Sequence, residues 1–308
     1  MANPTEPIGN LPRPRTYHNF WTYAVEGLPN IAPAGFKIPF ASGHVRRMPP
    51  LTAGPCHYQR YADRYVEAAR RYTQRSLKQA AISPSALSLL YAADGLTEYP
   101  RERFIEDLLH EHVSEVRCCL DKGAAKVQID FTAGRLALKV DPSGELPASL
   151  IDLNNLALSR SSAAERERLG VHTCAGGDRD STHSADVDYA ALLPSLFQLN
   201  LTHFYGSLAG EADHVRILEV IRGHLKRHPR VFVGVIVPID PRTETPDEVR
   251  DRVLEAAEYI PLEQLGTTDD CGFSPFCDDF STTRETAFAK IRTRVLGTAL
   301  AEQALGAA

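Results

Sequence analysis

The run LGVHTC (Leu169 to Cys174) passes directly into AGGD (Ala175 to Asp178), a short apolar stretch broken by a loop rich in Gly and Asp. That pattern reads as a buried strand delivering polar residues to its carboxy-terminal end. Side chains alternate along a strand, so His172 and Cys174, two residues apart, project from one edge. Five further runs behave the same way: LKQAAIS (Leu77 to Ser83), AKVQID (Ala125 to Asp130), THFYGSL (Thr202 to Leu208), RVFVGVIVP (Arg230 to Pro238) and QLGTTDDC (Gln264 to Cys271). Helical periodicity separates them over Phe104 to Leu120, Ala190 to Phe197, Val215 to Leu225 and Thr245 to Glu258, and Arg284 to Ala304 closes the chain. Within these, TPDEV opens a helix like a capping box.

Strands alternating with helices predict repeated βα units around a parallel sheet. Each strand ends in polar residues, among them Ser83, Asp130, His172 with Cys174, Ser207, Asp240, and Asp270 with Cys271. A common rim of that kind is how a (β/α)8 barrel builds its site. An open doubly wound sheet is the alternative, but no GxGxxG turn follows the first strand. The expected fold is therefore α/β, a single (β/α)8 TIM-type barrel spanning 1–308, with an atypical or missing second βα unit. Residues 13–75, rich in Pro, Gly, Tyr and Arg, read as an irregular cover over it.

The 308 residues are 43% hydrophobic and 24% charged, with net charge −5, enough for an ordinary buried core. Lys and Arg are scattered, which argues against a nucleic-acid partner. No apolar run has the length of a membrane span, and MANPTEPIGN lacks the zones of a signal peptide, so a cytoplasmic location is expected. Six cysteines in this length do not form a disulfide framework, and reduced thiols are the expectation.

An H-x-C pair alone is common, and buried cysteine usually behaves as a small hydrophobe. The third soft donor, Cys271 in TTDDCGF, changes the reading, because it also sits where a strand meets a polar loop. Imidazole and thiolate donors favour zinc over magnesium or calcium. Around them, His183 in the dense loop after Cys174 is the candidate acid–base residue, and Asp270 is a candidate partner for a substrate amine. Arg135 is placed to clamp a substrate carboxylate. Asp178, Asp180, Asp186 and Asp188 read either as partners of a ligand or as a hydrogen-bonded loop.

Four motifs in order, IGNLPRP (Ile8 to Pro14), VQID (Val127 to Asp130), HTC (His172 to Cys174) and DDCGF (Asp269 to Phe273), resemble the carboxy-terminal catalytic barrel of cobalamin-independent methionine synthases and their short relatives. That resemblance implies a zinc cofactor held by the His, both Cys and a Glu. It also implies transfer of a methyl or other alkyl group to a small thiol such as homocysteine, with a methylated folate or a corrinoid as donor. It makes Asn10 and Asp130 substrate-binding positions, Asn10 standing where the family has Ser. No Glu ends the strand over Thr202 to Leu208, so Glu211, just beyond it, is the candidate fourth ligand, with Ser207 or a water as the alternative. A strand ending in D-G-E that holds the substrate amine in the family has no counterpart after IGNLPRP. Zinc-dependent lyase or addition chemistry, and a degenerate non-catalytic barrel, are the other functional readings.

Overall fold

The computed structural model describes residues 4–9, 21–32, 36–39, 43, 45–177, 179–225, 229–277 and 279–306. A short antiparallel hairpin, β1 (Phe36–Pro39) with β2 (Val45–Met48), and the helix α1 (Asp63–Arg70) come first. Strands and helices then alternate through β3 (Leu77–Ile82), α2 (Pro84–Leu87), α3 (Arg101–Asp121), β4 (Ala124–Asp130), α4 (Ala133–Val140), α5 (Glu145–Ser159) and α6 (Ala163–Arg166). The series continues through β5 (Leu169–Thr173), α7 (Tyr189–Leu196), β6 (His203–Gly206), α8 (His214–His224), β7 (Arg230–Gly234), α9 (Pro246–Ala257), β8 (Leu265–Thr268) and α10 (Arg284–Ala304).

Strands β3 to β8 pair in sequential order and all in parallel, as successive βα units require. Beyond β8 the chain start takes the place of a first stave. Glu6 N donates to Thr267 O at 2.9 Å, Thr267 N donates to Pro4 O at 2.9 Å, and Thr5 bridges Thr267 in parallel. Among the described residues no strand joins the main sheet between this segment and β3, since β1 and β2 pair only with each other. The fold is thus the expected TIM-type barrel, and its second βα unit is absent among the described residues.

All six expected strands form; β4 ends at Asp130 as expected, while the other five end before the carboxy ends expected for them. Val235 and Asp270 show why. Val235 N donates to Thr268 O and Asp270 N to Ile236 O, both at 2.9 Å, so the ladder continues there as isolated bonds while the backbone turns onto the rim. Buried, apolar rim residues imitate strand in a sequence pattern. The capping box at α9 forms as TPDEV suggested, with Glu248 N donating to Thr245 Oγ1 at 3.2 Å and Thr245 N to Glu248 Oε2 at 2.7 Å. Helices α4 and α5 were not anticipated.

Inside the barrel, Ile8, Tyr205 and Phe232 form a small apolar cluster separate from the main core. The Tyr205 and Phe232 rings stack with centroids 4.7 Å apart. The main core lies between the sheet and its helices and extends into the cover, where Trp21, Tyr23, Val25, Leu51, Tyr58 and Val66 are buried with Ala81, Leu87 and Phe104. This packing sets the cover against β3, α2 and α3.

Two carboxylates one turn apart on α3 fix that cover. Glu111 accepts from Tyr58 N, Tyr61 OH and His57 Nδ1, each at 3.0 Å. Glu115 accepts from Tyr23 OH at 2.6 Å and Ala62 N at 3.0 Å. Burial raises the Glu115 carboxyl to about 7, with the hydrogen bonds from Tyr23 and Ala62 pulling it down. Between its ordinary value of 4.5 and about 7 the folded protein keeps a proton that the unfolded chain has released. Stability contributed by this group is therefore full below 4.5 and falls as pH rises through about 7. Glu115→Gln, which cannot ionise, is expected to gain on the wild type by up to about 3 kcal/mol between pH 5 and pH 8 in urea unfolding. Parallel pH curves for the two proteins would show that Glu115 is not proton-linked to folding.

Candidate metal centre and the rim that carries it

His172, Cys174 and Cys271 come together at the carboxy-terminal end of the sheet, their ligand atoms within 4.8 Å of one another and all three residues buried. Among the described residues this is the one such group of His, Cys, Asp and Glu. Strand β5 carries His172, Cys174 follows its last residue, and Cys271 lies three residues past the end of β8. The sequence pairing of segments 97 residues apart is met in space.

The imidazole is set up as a lone-pair donor. Its Nδ1 lies 3.3 Å from the Tyr205 carbonyl, and only an N–H can bond a carbonyl oxygen, so the proton sits on Nδ1. Nε2 then keeps its lone pair, and it is buried without a hydrogen-bond partner. Burial, and next the charge of Lys78, lower this imidazole to about 3, so it is neutral at neutral pH. A buried acceptor with nothing to accept costs free energy unless something outside the protein fills the position. A soft metal ion beside two sulfurs suits that lone pair.

The two sulfurs are joined as a disulfide in the structure, with their Cα atoms 5.8 Å apart. This corrects the expectation of reduced thiols for that pair, while Cys56, Cys118, Cys119 and Cys277 are free. The reason is proximity: two side chains brought close enough to share one ion are also close enough to bond. Disulfide and metal-binding thiolate pair are alternative states of the same two atoms.

Glu211 does not join the group. Arg135 Nη1 and Nη2 donate to its two oxygens at 2.5 and 3.1 Å, and Arg135 Nη2 also donates to Val187 O at 2.7 Å. With 1% of its side chain exposed, Arg135 is committed to this pair rather than open to a substrate carboxylate. Ser207 lies one residue past the Thr173 and Gly206 rung, in step with Cys174, and its Oγ donates to Asp270 O at 3.2 Å. The strand position beside Cys174 therefore holds a neutral hydroxyl in place of a carboxylate.

Asp270 is likewise engaged, against the expectation that it meets a substrate amine. Its oxygens accept from Leu208 N at 2.8 Å, Ala209 N at 3.1 Å and Gly210 N at 2.6 Å. A Cβ on Gly234 would collide with the same carboxylate, so glycine is required there. Asp180 accepts from Phe280 N at 2.8 Å and Ser281 N at 2.9 Å. Arg135, Asp180 and Asp270 thus stitch together the loops after β4, β5, β6 and β8, which include both cysteines. Aspartates suggested as substrate contacts serve as loop fasteners because short carboxylates saturate the N–H groups of nearby turns.

Asp130 is buried and paired in register with His172. Gln128 Nε2 donates to its Oδ1 at 2.6 Å, and burial raises its carboxyl to about 7, with Gln128 and then Lys78 lowering it. His183 is partly buried, its Nδ1 2.8 Å from Ser184 Oγ, and burial followed by the charges of Arg135 and Lys139 lowers it to about 4. Asp186 pairs with exposed Lys139 at 2.8 Å, Asp188 caps α7, and Asp269 forms a buried ion pair with Arg294. Asn10, Asp178 and Asp278 lie outside the described residues.

Three contributors were missed at the sequence level: Lys78, Gln128 and Tyr205. The signal for Gln128 was present, since it stands two residues before Asp130 and therefore on the same face. Lys78 stood out as the one charge in the strand LKQAAI.

No protein-family model matches the chain. Among curated proteins it is 26% identical over 222 residues to the uncharacterized protein YxjH of Bacillus subtilis, covering 68% of this chain and 57% of that protein. It is 26% identical over 198 residues to the uncharacterized protein YxjG of the same organism, covering 61% and 52%. The chain spans about half the length of the curated relatives it matches. Among solved structures it superposes on a B12-independent methionine synthase from Shewanella sp. W3-18-1 in complex with selenomethionine, with TM-score 0.69 and 18% identity, covering 92% of this chain and 79% of that one. A putative vitamin-B12 independent methionine synthase from Listeria monocytogenes matches with TM-score 0.57 and 19% identity, covering 91% and 78%. The chain has the barrel fold of these structures.

Proposed function

We propose that the protein is a zinc-dependent transferase that moves a methyl or other alkyl group to a small thiol. The observation that carries this reading is the unpartnered, buried Nε2 of His172 beside the two sulfurs of Cys174 and Cys271, on a fold shared with methionine synthase structures. His172, Cys174 and Cys271 would hold the ion, with the two cysteines reduced. Bound zinc would hold a substrate thiol as its thiolate at neutral pH, supplying the nucleophile.

The chain's own residues do the rest. Tyr205 O fixes the His172 tautomer and ring. Arg135, Asp180 and Asp270 hold the rim loops so that Cys174 and Cys271 keep their spacing. Asp130, with Gln128 on one oxygen, would orient the polar end of the thiol beside His172 with the other. His183, neutral at working pH, is the candidate for moving a proton at the rim. Asn10 remains a proposed substrate contact, and a methylated folate or a corrinoid is the proposed class of donor. In place of the proposed Glu211, the fourth position would be left to the substrate sulfur, because Glu211 is taken up by Arg135.

A cobalt-substituted, reduced protein tests the reading. Adding homocysteine is expected to raise the near-ultraviolet absorption of a sulfur-to-cobalt charge transfer, and His172→Ala to remove that response. A spectrum indifferent to the thiol would remove the basis for thiol activation.

A further inference from the structure

Helix α10 has a helical neighbour on one side only. It packs along α9 and against β8, and among the described residues no other helix lies along it to a comparable extent. In a (β/α)8 barrel the outer helices form a ring, so each sits between two others. The helix after the first stave would close that ring beside α10. Among the described residues no α-helix follows the first stave before α1, and α1 packs on β3 and α3 instead.

The outward face of α10 is apolar. Ala287, Arg294, Gly297 and Ala301 are buried, and a Cβ on Gly297 would collide with Val249 and the Pro246 carbonyl of α9, which fixes the inward side. Opposite them Phe288, Val295 and Leu296 are each 45% exposed, and Ala289 and Ala299 are exposed as well. At 3.6 residues per turn these five and exposed Arg292 occupy one arc of about 120°. A single exposed leucine is ordinary, but a continuous apolar arc marks a binding face. Arg292 stands in the middle of the arc and partly exposed Glu302 at its carboxy-terminal edge, and neither has an ion-pair partner among the described residues.

We infer that this face binds the same face of a second copy of the chain, α10 against α10 in antiparallel order. A self-complementary patch of this kind closes as a two-fold dimer. The charges choose the direction: parallel helices would set Arg292 against Arg292, whereas antiparallel ones bring it to the Glu302 end of the second copy. With the two-fold axis at Val295 and Leu296, these side chains meet at the centre and Phe288 faces the Ala299 and Gln303 end. The small Ala289 and Ala299 let the axes approach to about 8 to 10 Å. A helix of 21 residues is about 32 Å long and about 10 Å wide. That footprint is smaller than the ~800 Å² per partner of a standard interface, so the dimer is weak, with Kd on the order of 10 to 100 μM. The pairing is independent of the thiol-transferase reading.

Analytical ultracentrifugation of the reduced full chain, from about 5 to about 500 μM, tests this. The wild type is expected to pass from monomer to dimer across that range and Leu296→Glu to stay monomeric. The urea midpoint of Leu296→Glu should match the wild type, because the side chain is already exposed. Arg292→Glu is expected to weaken the dimer about tenfold, and adding Glu302→Arg to restore it, a recovery that loss of folding cannot imitate. A wild type monomeric throughout would overturn the inference, as would a dimer that Leu296→Glu leaves intact. A monomeric wild type whose urea midpoint falls in Leu296→Glu would show that the chain itself covers this face.

Discussion

Replacing Arg135 by Ala is expected to destabilise the protein by about 3 to 5 kcal/mol, the range for breaking a buried ion pair from one side. The guanidinium is 1% exposed and Glu211 14%, so the substitution strands a carboxylate that water reaches poorly. Val187 O loses its donor as well, which adds about 1 kcal/mol. Lys139→Ala is the matched control. Its pair with Asp186 is 42% and 66% exposed, and exposed pairs of this kind contribute at most about 1 kcal/mol. Urea midpoints at constant slope measure both variants, and an Arg135→Ala cost no larger than that of Lys139→Ala would contradict the role given to Arg135. Because Arg135 joins the loops after β4, β5 and β6, its loss is also expected to loosen metal binding in whatever protein remains folded.

The second large effect concerns the sulfurs. Cys174→Ser and Cys271→Ser are each expected to abolish tight zinc binding, since ligands of one ion act together and a hydroxyl is a poor substitute for thiolate. Cys56→Ser and Cys118→Ser are expected to leave it intact, because both thiols are free and lie at the cover and on α3, away from the metal group. Competition with a chromophoric chelator measures the affinities. Equal retention across the four variants would remove the site assignment.

The barrel was readable because a parallel sheet is written in short apolar runs, and the polar residue ending each run marked the rim. The same pattern misplaced the strand ends, since Val235 and Ile236 are as buried as the strand before them. His172, Cys174 and Cys271 were legible from chemistry that few other residue types provide. Asp270, Glu211 and Arg135 were not, because a carboxylate in a rim loop looks the same in sequence whether it faces a substrate, a guanidinium or three N–H groups. Which of these it meets depends on contacts such as Arg135 to Glu211, 76 residues apart. Lys78 went unread for a related reason: its neighbours, Gln128 and the Tyr205 ring, come from other strands, and only the assembled interior brings them together.

The most direct measurement is the zinc content of the reduced, purified chain beside Cys271→Ser, by elemental analysis after dialysis against a mild chelator. The thiol-transferase account predicts about one zinc per wild-type chain and almost none in the variant. No zinc in either protein, with the thiols demonstrably reduced, would contradict it and leave a barrel that does not use metal to activate a thiol.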